Sequence, residues 1–204
     1  MLIKTLPVGQ LETNCYVVTD EHTLDCAVID PGDESNAILD YLEANGLRCR
    51  AIFITHGHYD HTMAARSVAE QTGAQIYIHR LDAGATPENA PFRFTPPEGA
   101  RFYAEGDNVQ VSGLTFRVLE TPGHSPGGVT LVCGDALFTG DTLFRDDCGR
   151  TDLPGGDIDV LMASLRKLHN LPGDYEVYPG HMDSSTLDRE RRFNPEMGYA
   201  AERG

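Results

Sequence analysis

The period of the apolar positions changes repeatedly along the chain, and the changes mark out its elements. Residues 2–6, 15–19 and 26–29 form short apolar or alternating runs, which predict three early strands. The third runs into the turn Asp30-Pro31-Gly32. Beyond it Ile38, Leu39 and Leu42 fall at helical spacing, and Gly46 supplies the stop. Residues 51–55 predict a strand that ends directly on His56. A helix is expected after the histidines, with Met63, Ala64 and Val68 inward and Gly73 at its end, then a strand at 75–79.

The stretch 80–99 carries Pro87, Pro91, Pro96 and Pro97 among alanines and glycines. It reads as a long surface loop with room for one helical turn. Strands are expected again at 108–111 and 114–119. Two more, at 129–133 and 136–139, flank the hairpin signal Gly134-Asp135. Asp157 is placed to cap a helix carrying Leu161, Leu165 and Leu168 on one face, and 175–178 is the last strand. Strands in pairs and triplets, with helices between, predict two packed sheets with helices outside.

The chemistry concentrates in Thr55-His56-Gly57-His58-Tyr59-Asp60-His61-Thr62. Neutral imidazole and carboxylate are ligands of Zn, Fe and Mn. Solvated histidines have no reason to cluster and buried ones need partners, so the segment points to a metal site. Three later segments repeat the order strand, turn, ligand. They end on His124 after Thr121-Pro122-Gly123, on Asp141 after Gly140, and on His181 after Pro179-Gly180. Ligands at the carboxyl ends of strands converge on one sheet edge, and the glycine before each lets the backbone turn sharply.

Composition narrows the partners. Among 204 residues, 31 acidic side chains stand against 16 basic ones, a net charge of -15, which argues against nucleic acid and anionic lipid. No apolar run approaches the ~18 residues of a membrane span. Glu12 and Asn14 interrupt the N-terminal apolar positions, which read as a strand and not a signal peptide. Five cysteines without a Cys-x-x-Cys pair predict free thiols, mostly core filler, in a reducing, cytoplasmic compartment.

The His-x-His-x-Asp-His motif, Thr-Pro-Gly-His-Ser-Pro-Gly-Gly at 121–128, Phe-Thr-Gly-Asp at 138–141 and Tyr-Pro-Gly-His at 178–181 resemble the metallo-β-lactamase superfamily. Asn14-Cys15-Tyr16 and Ile29-Asp30-Pro31-Gly32 resemble its short, single-domain glyoxalase II-like branch. The resemblance implies an α/β fold, the four-layer αββα sandwich, over residues 1–204. It implies two divalent metal ions, zinc first and iron or manganese as alternatives. His56, His58 and His124 would hold one, Asp60, His61 and His181 the other, and Asp141 would bridge them.

The implied activity is hydrolysis of a small-molecule thioester such as S-D-lactoylglutathione by a metal-bridging hydroxide, with Asp60 able to shuttle a proton. The expected alternative is an iron-dependent persulfide dioxygenase using His56, His124 and Asp141. A non-catalytic metal-binding protein is the alternative of another class. A β-lactamase is disfavoured by the bridging carboxylate. Larger glyoxalase II enzymes add a glutathione-gripping helical domain after the last histidine. Here 204 − 181 = 23 residues follow, with space for one helix bearing Arg189, Arg191 and Arg192. These face an anionic substrate or balance carboxylates.

Several residues keep two readings. Tyr59 is expected to line the site mouth. Arg150 pairs either with a substrate carboxylate or with Asp152. Asp30 is a turn former or a support for a metal ligand. His79 reads as a strand-end polar residue, and His22 and His169 as surface histidines.

Overall fold

The computed structural model describes residues 1–84 and 94–202. The first half of the chain builds one sheet in sequential order. Strands β1 (Leu2–Val8) and β2 (Thr13–Thr19) form a hairpin, and β3 (Asp25–Ile29) pairs antiparallel to β2. Helix α1 (Ser35–Ala44) then crosses to β4 (Arg48–Ile54), parallel to β3. Helices α2 (Tyr59–Thr62) and α3 (Ala65–Thr72) lead to β5 (Gln75–His79), parallel to β4. A 3-10 turn at Arg80–Asp82 follows, and β6 (Arg101–Tyr103) closes a six-stranded sheet.

The second half begins with β7 (Asn108–Val111), β8 (Leu114–Glu120), β9 (Val129–Cys133) and β10 (Ala136–Gly140). A two-stranded ribbon of β11 (Leu143–Phe144) and β12 (Asp147–Cys148) comes next, then helix α4 (Ile158–His169). Strands β13 (Glu176–Pro179) and β14 (Ser185–Thr186) and helices α5 (Leu187–Phe193) and α6 (Pro195–Glu202) end the described chain. The second six-stranded sheet runs β14-β13-β10-β9-β8-β7.

Side-chain alternation sorts these strands into layers. On β2, Cys15 and Val17 face an outer apolar cluster with Ile38 and Leu42 of α1 and Ala65 and Val68 of α3. Tyr16 and Val18 face the opposite way, into a layer shared with Phe116, Val118, Leu131 and Phe138 of the second sheet. Leu137, on the other face of β10, joins Leu165 and Leu168 of α4 and Met197 of α6 in a third cluster. Three apolar seams separate four layers, so the expected αββα sandwich is what the chain forms. Strands β2 and β3 are buried on both faces, which explains their near-continuous apolar sequence.

The cap of α4 is as expected: the Asp157 carboxylate accepts from the Asp159 and Val160 amides at 2.9 and 3.1 Å, worth about 1 kcal/mol to the helix. Two expectations need correction. The single helix after the histidines is broken, because the Ala64 amide bonds to Pro31 O instead of continuing the α2 ladder. Met63 at the break is 59% exposed and not inward, whereas Ala64 and Val68 are buried. The tail forms two helices where one was expected. Pro195 removes an amide donor, Asn194 is extended, and its side-chain oxygen caps α6 at Glu196 N and Met197 N. Of the loop expected at 80–99, Arg80–Asp82 forms the one helical turn, of the 3-10 type, and residues 85–93, with Pro87 and Pro91, lie outside the described residues.

Candidate metal centre

Strands β8, β10 and β13 share one direction, since β9 is antiparallel to both its neighbours and β13 is parallel to β10. Their carboxyl ends therefore open on one edge and carry His124, Asp141 and His181 there. Strand β4 of the other sheet ends beside them with His56. His58 stands just ahead of α2, whose first turn presents Asp60 and His61. All seven residues predicted as ligands meet at this edge.

They form overlapping groups whose donor atoms lie within 4.8 Å of one another: His56, His58 and His124; His56, His61 and Asp141; and Asp60, His61 and His181. His124 Nε2 is 2.9 Å from His58 Nδ1, and His61 Nε2 is 3.3 Å from His181 Nε2. Asp141 stands between. Its Oδ2 is 3.4 Å from His124 Nε2 and 3.6 Å from His181 Nε2, and its Oδ1 is 3.4 Å from His61 Nε2. Asp60 Oδ2 is 3.2 Å from His181 Nε2.

Four imidazoles are fixed from behind through Nδ1, which turns Nε2 inward. His56 contacts Thr55 Oγ1 at 3.2 Å, His61 contacts Asp30 Oδ2 at 3.0 Å, His124 contacts Arg150 O at 2.7 Å and His181 contacts Leu11 O at 3.1 Å. Such bonds set the ring orientation a metal ligand needs. Asp30 resolves in favour of support. It is 2% exposed, and its carboxylate also accepts from Thr55 N and Thr55 Oγ1.

The fit to metal ions rests on atoms left over. His56 Nε2 and Asp141 Oδ1 are buried without a hydrogen-bond partner. Buried polar atoms in that state call for an unseen partner, and both belong to the clustered donors. The electrostatics agree. Burial and neighbouring imidazoles push His56 well below its usual value and His58 down to about 4, so both are neutral donors at pH 7. Burial works to lower His61, but the carboxylates of Asp141 and Asp30 outweigh it and carry it up to about 9. Burial also opposes His181, and the Asp60 hydrogen bond outweighs it to raise that group. A cation in this half of the site is already demanded by the carboxylates.

Glycine serves the sharp turn expected of it at two of the three positions. Gly123 and Gly140 take positive φ, at 126° and 49°. Gly180 does not; it is needed for close approach, since a Cβ there would sit 2.2 Å from Asp141 Oδ1.

Two supports escaped the sequence. Asn14 donates to Pro179 O and Met182 O, and Tyr16 OH to Pro179 O, so β2 holds the turn that carries His181. The buried Asp82 accepts from Gly57 N at 2.8 Å and Gly127 N at 2.6 Å, tying the His56–His58 loop to the segment after His124. Asp82 sits in no motif, and its only sequence signal is an acid in a proline-rich loop. His79 is structural as expected, bonded to Glu120 and the Leu81 amide.

A cavity of about 500 Å³ opens onto His58, Asp60, His124, Asp141 and His181. Tyr59 lines its mouth. Arg150 also lines it, but its guanidinium is held by both oxygens of Asp152 at 2.6 Å, the second of its two readings. Arg189 pairs with Asp146 and Glu190, and Arg191 with Asp188, so both balance carboxylates. Among the described residues no helix is long and apolar enough to cross a membrane.

Seven clustered imidazole and carboxylate donors at a sheet edge make a candidate metal centre. Residues 8–181 match the metallo-beta-lactamase superfamily model, and the chain belongs to that superfamily. It is 33% identical to hydroxyacylglutathione hydrolase GloC of Haemophilus influenzae, over 96% of this chain and 97% of that one, which supports the glyoxalase II-like branch. Among solved structures, BLEG-1 B3 metallo-beta-lactamase superposes with a TM-score of 0.87 at 32% identity, over 96% and 99% of the two chains. ETHE1 from Myxococcus xanthus gives 0.84 at 30%, over 99% and 90%. The di-iron-bound form of TTHA1623 gives 0.81 at 38%, over 94% and 98%.

Proposed function

We propose that the chain is a binuclear metal-dependent hydrolase of thioesters such as S-D-lactoylglutathione. The observation that carries this is the place of Asp141, whose two oxygens reach imidazoles of both terminal ligand groups. In this reading His56, His58 and His124 hold one divalent ion, Asp60, His61 and His181 a second, and Asp141 both. The nitrogen-rich donor set suits zinc, with iron or manganese as alternatives. The similarity to GloC supports the hydrolytic reading, and the di-iron form of TTHA1623 supports iron as the alternative metal.

Two such ions supply a water of pKa near ~7 and Lewis-acid polarisation of a carbonyl. The chain's own groups do the rest. The backing bonds from Thr55, Asp30, Arg150 and Leu11 keep the imidazoles from rotating away. Asp60 lines the cavity and accepts from Thr13 Oγ1 at 3.3 Å, and is the carboxylate that would relay a proton between the site and solvent. Tyr59 shields the mouth. The leaving thiol has a pKa near ~8.5 and departs as thiolate with little acid assistance. The small-molecule cavity and acidic surface fit a soluble, cytoplasmic enzyme that binds no nucleic acid.

The similarity to ETHE1 favours one second reading, an iron-dependent persulfide dioxygenase holding a single iron with His56, His124 and Asp141. Thiol release from a glutathione thioester, set beside oxygen uptake with glutathione persulfide, separates the two. Absence of both activities would leave a non-catalytic metal-binding protein.

A further inference from the structure

The rim of the cavity is apolar where it meets solvent. Leu11, Tyr59 and Met182 line it while remaining 53%, 48% and 58% exposed. Phe144 and Leu153 add further apolar lining. The Leu11–Tyr59 ridge continues into an adjoining hollow of about 270 Å³, where Met63 adds a further exposed apolar side chain. Exposed large apolar side chains gathered round one opening mark a binding surface.

The charges at the rim point the same way. Of the described residues lining the two hollows, Arg150 is the one arginine or lysine, and its fork is filled by Asp152. Arg145, next in sequence to Phe144, pairs with Asp183, next to Met182. Asp33 and Asp60 line the second hollow. An anionic arm entering here meets guanidinium groups already paired and carboxylates of its own sign, whereas an uncharged apolar arm meets surface that water solvates poorly.

We infer that the site selects thioesters carrying an uncharged, apolar arm laid across Leu11, Tyr59 and Met182, in preference to a polyanionic arm such as glutathione. This rests on the thioesterase reading above. The arm contributes binding energy at the rim, and the metal ligands beneath are left to the reacting carbonyl.

Binding and turnover are measured separately, so that the two readings fail separately. The probes for binding are non-hydrolysable alkyl thioethers of uncharged N-acetylcysteamine and, at equal alkyl length, of glutathione. Calorimetric titration of the metal-loaded full chain gives Kd. Each methylene is expected to tighten binding about threefold until the rim is covered. The uncharged series is expected to bind at least about tenfold tighter than the glutathione series. The Leu11→Gln/Met182→Gln double variant, at unchanged metal content, is expected to flatten the dependence on length. Affinity independent of chain length, or tighter binding of the glutathione series, overturns the inference. Should the variant fold poorly, the wild-type length series decides alone. Absence of thioester turnover with the binding series intact refutes the thioesterase reading and leaves the apolar rim standing.

Discussion

Asp30 Oδ2 lies 3.0 Å from His61 Nδ1, although Asp30 belongs to the turn after β3 and His61 to α2. Asp30 takes a left-handed φ of 49° and accepts two further bonds from Thr55. One carboxylate thus fixes the ring of His61 and the residue before His56. Asp30→Asn keeps the shape and tolerates that φ but removes the charge. It is expected to weaken the ion held by Asp60, His61 and His181 by about 10–100-fold. Competition titration against a chelator, resolving the two ions, checks this; equal loss of both ions speaks against it.

Gly180→Ala forces a Cβ against Asp141 Oδ1 and, at 2.7 Å, against His61 Cε1. Metal content is expected to fall below two ions per chain. Gly46→Ala is the control. It takes φ 63° with nothing within 4 Å of the added atom, so it costs stability of about 1 kcal/mol and no metal. Elemental analysis with thermal melts reads both variants.

Metal binding displaces protons from the second half of the site. His61, at about 9, is protonated at pH 7 in the metal-free protein, and His181 is raised in the same direction, whereas His56 and His58 are neutral. Loading is expected to release protons, and affinity to rise with pH up to about 9. The raised His61 stabilises the metal-free fold fully below its unfolded value of ~6.5, and that contribution disappears as pH rises through about 9. Melting temperature of the metal-free chain should therefore fall across that window. Calorimetry in buffers of differing ionisation enthalpy counts the protons; a count of zero contradicts the assignment.

Asp82→Ala strips a partner from two buried amides, at a cost of about 1–3 kcal/mol. It also frees the His56–His58 loop, so kcat/KM should drop at least tenfold at matched metal content. His79→Ala removes a strand-end pair with Glu120 and should retain most activity. Urea unfolding and steady-state kinetics on the two variants make the comparison. Equal losses would show that His79 has been misjudged.

The contrast between these two residues shows what a sequence discloses. The seven clustered donors were legible because imidazole and carboxylate at tight spacing have few other uses, and the strands because their faces alternate. Asp82 was hidden because its partners, Gly57 and Gly127, are 25 and 45 residues away and are backbone amides. Strand β6 was missed because only Tyr103 of its three residues is buried, which leaves no period to detect. Two-residue strands such as β11 and β14 carry no period at all. The break at Met63 was invisible because Pro31 O, across the fold, captures the Ala64 amide.

The central claim is a two-metal hydrolase, and one side-by-side assay addresses it most directly. Purified chain of known metal content is given S-D-lactoylglutathione while thiol release is followed, and glutathione persulfide while oxygen is followed. The account predicts about two ions per chain, thiol release that disappears in Asp141→Ala, and no oxygen uptake. A single tightly held iron with oxygen uptake and no thiol release would contradict it.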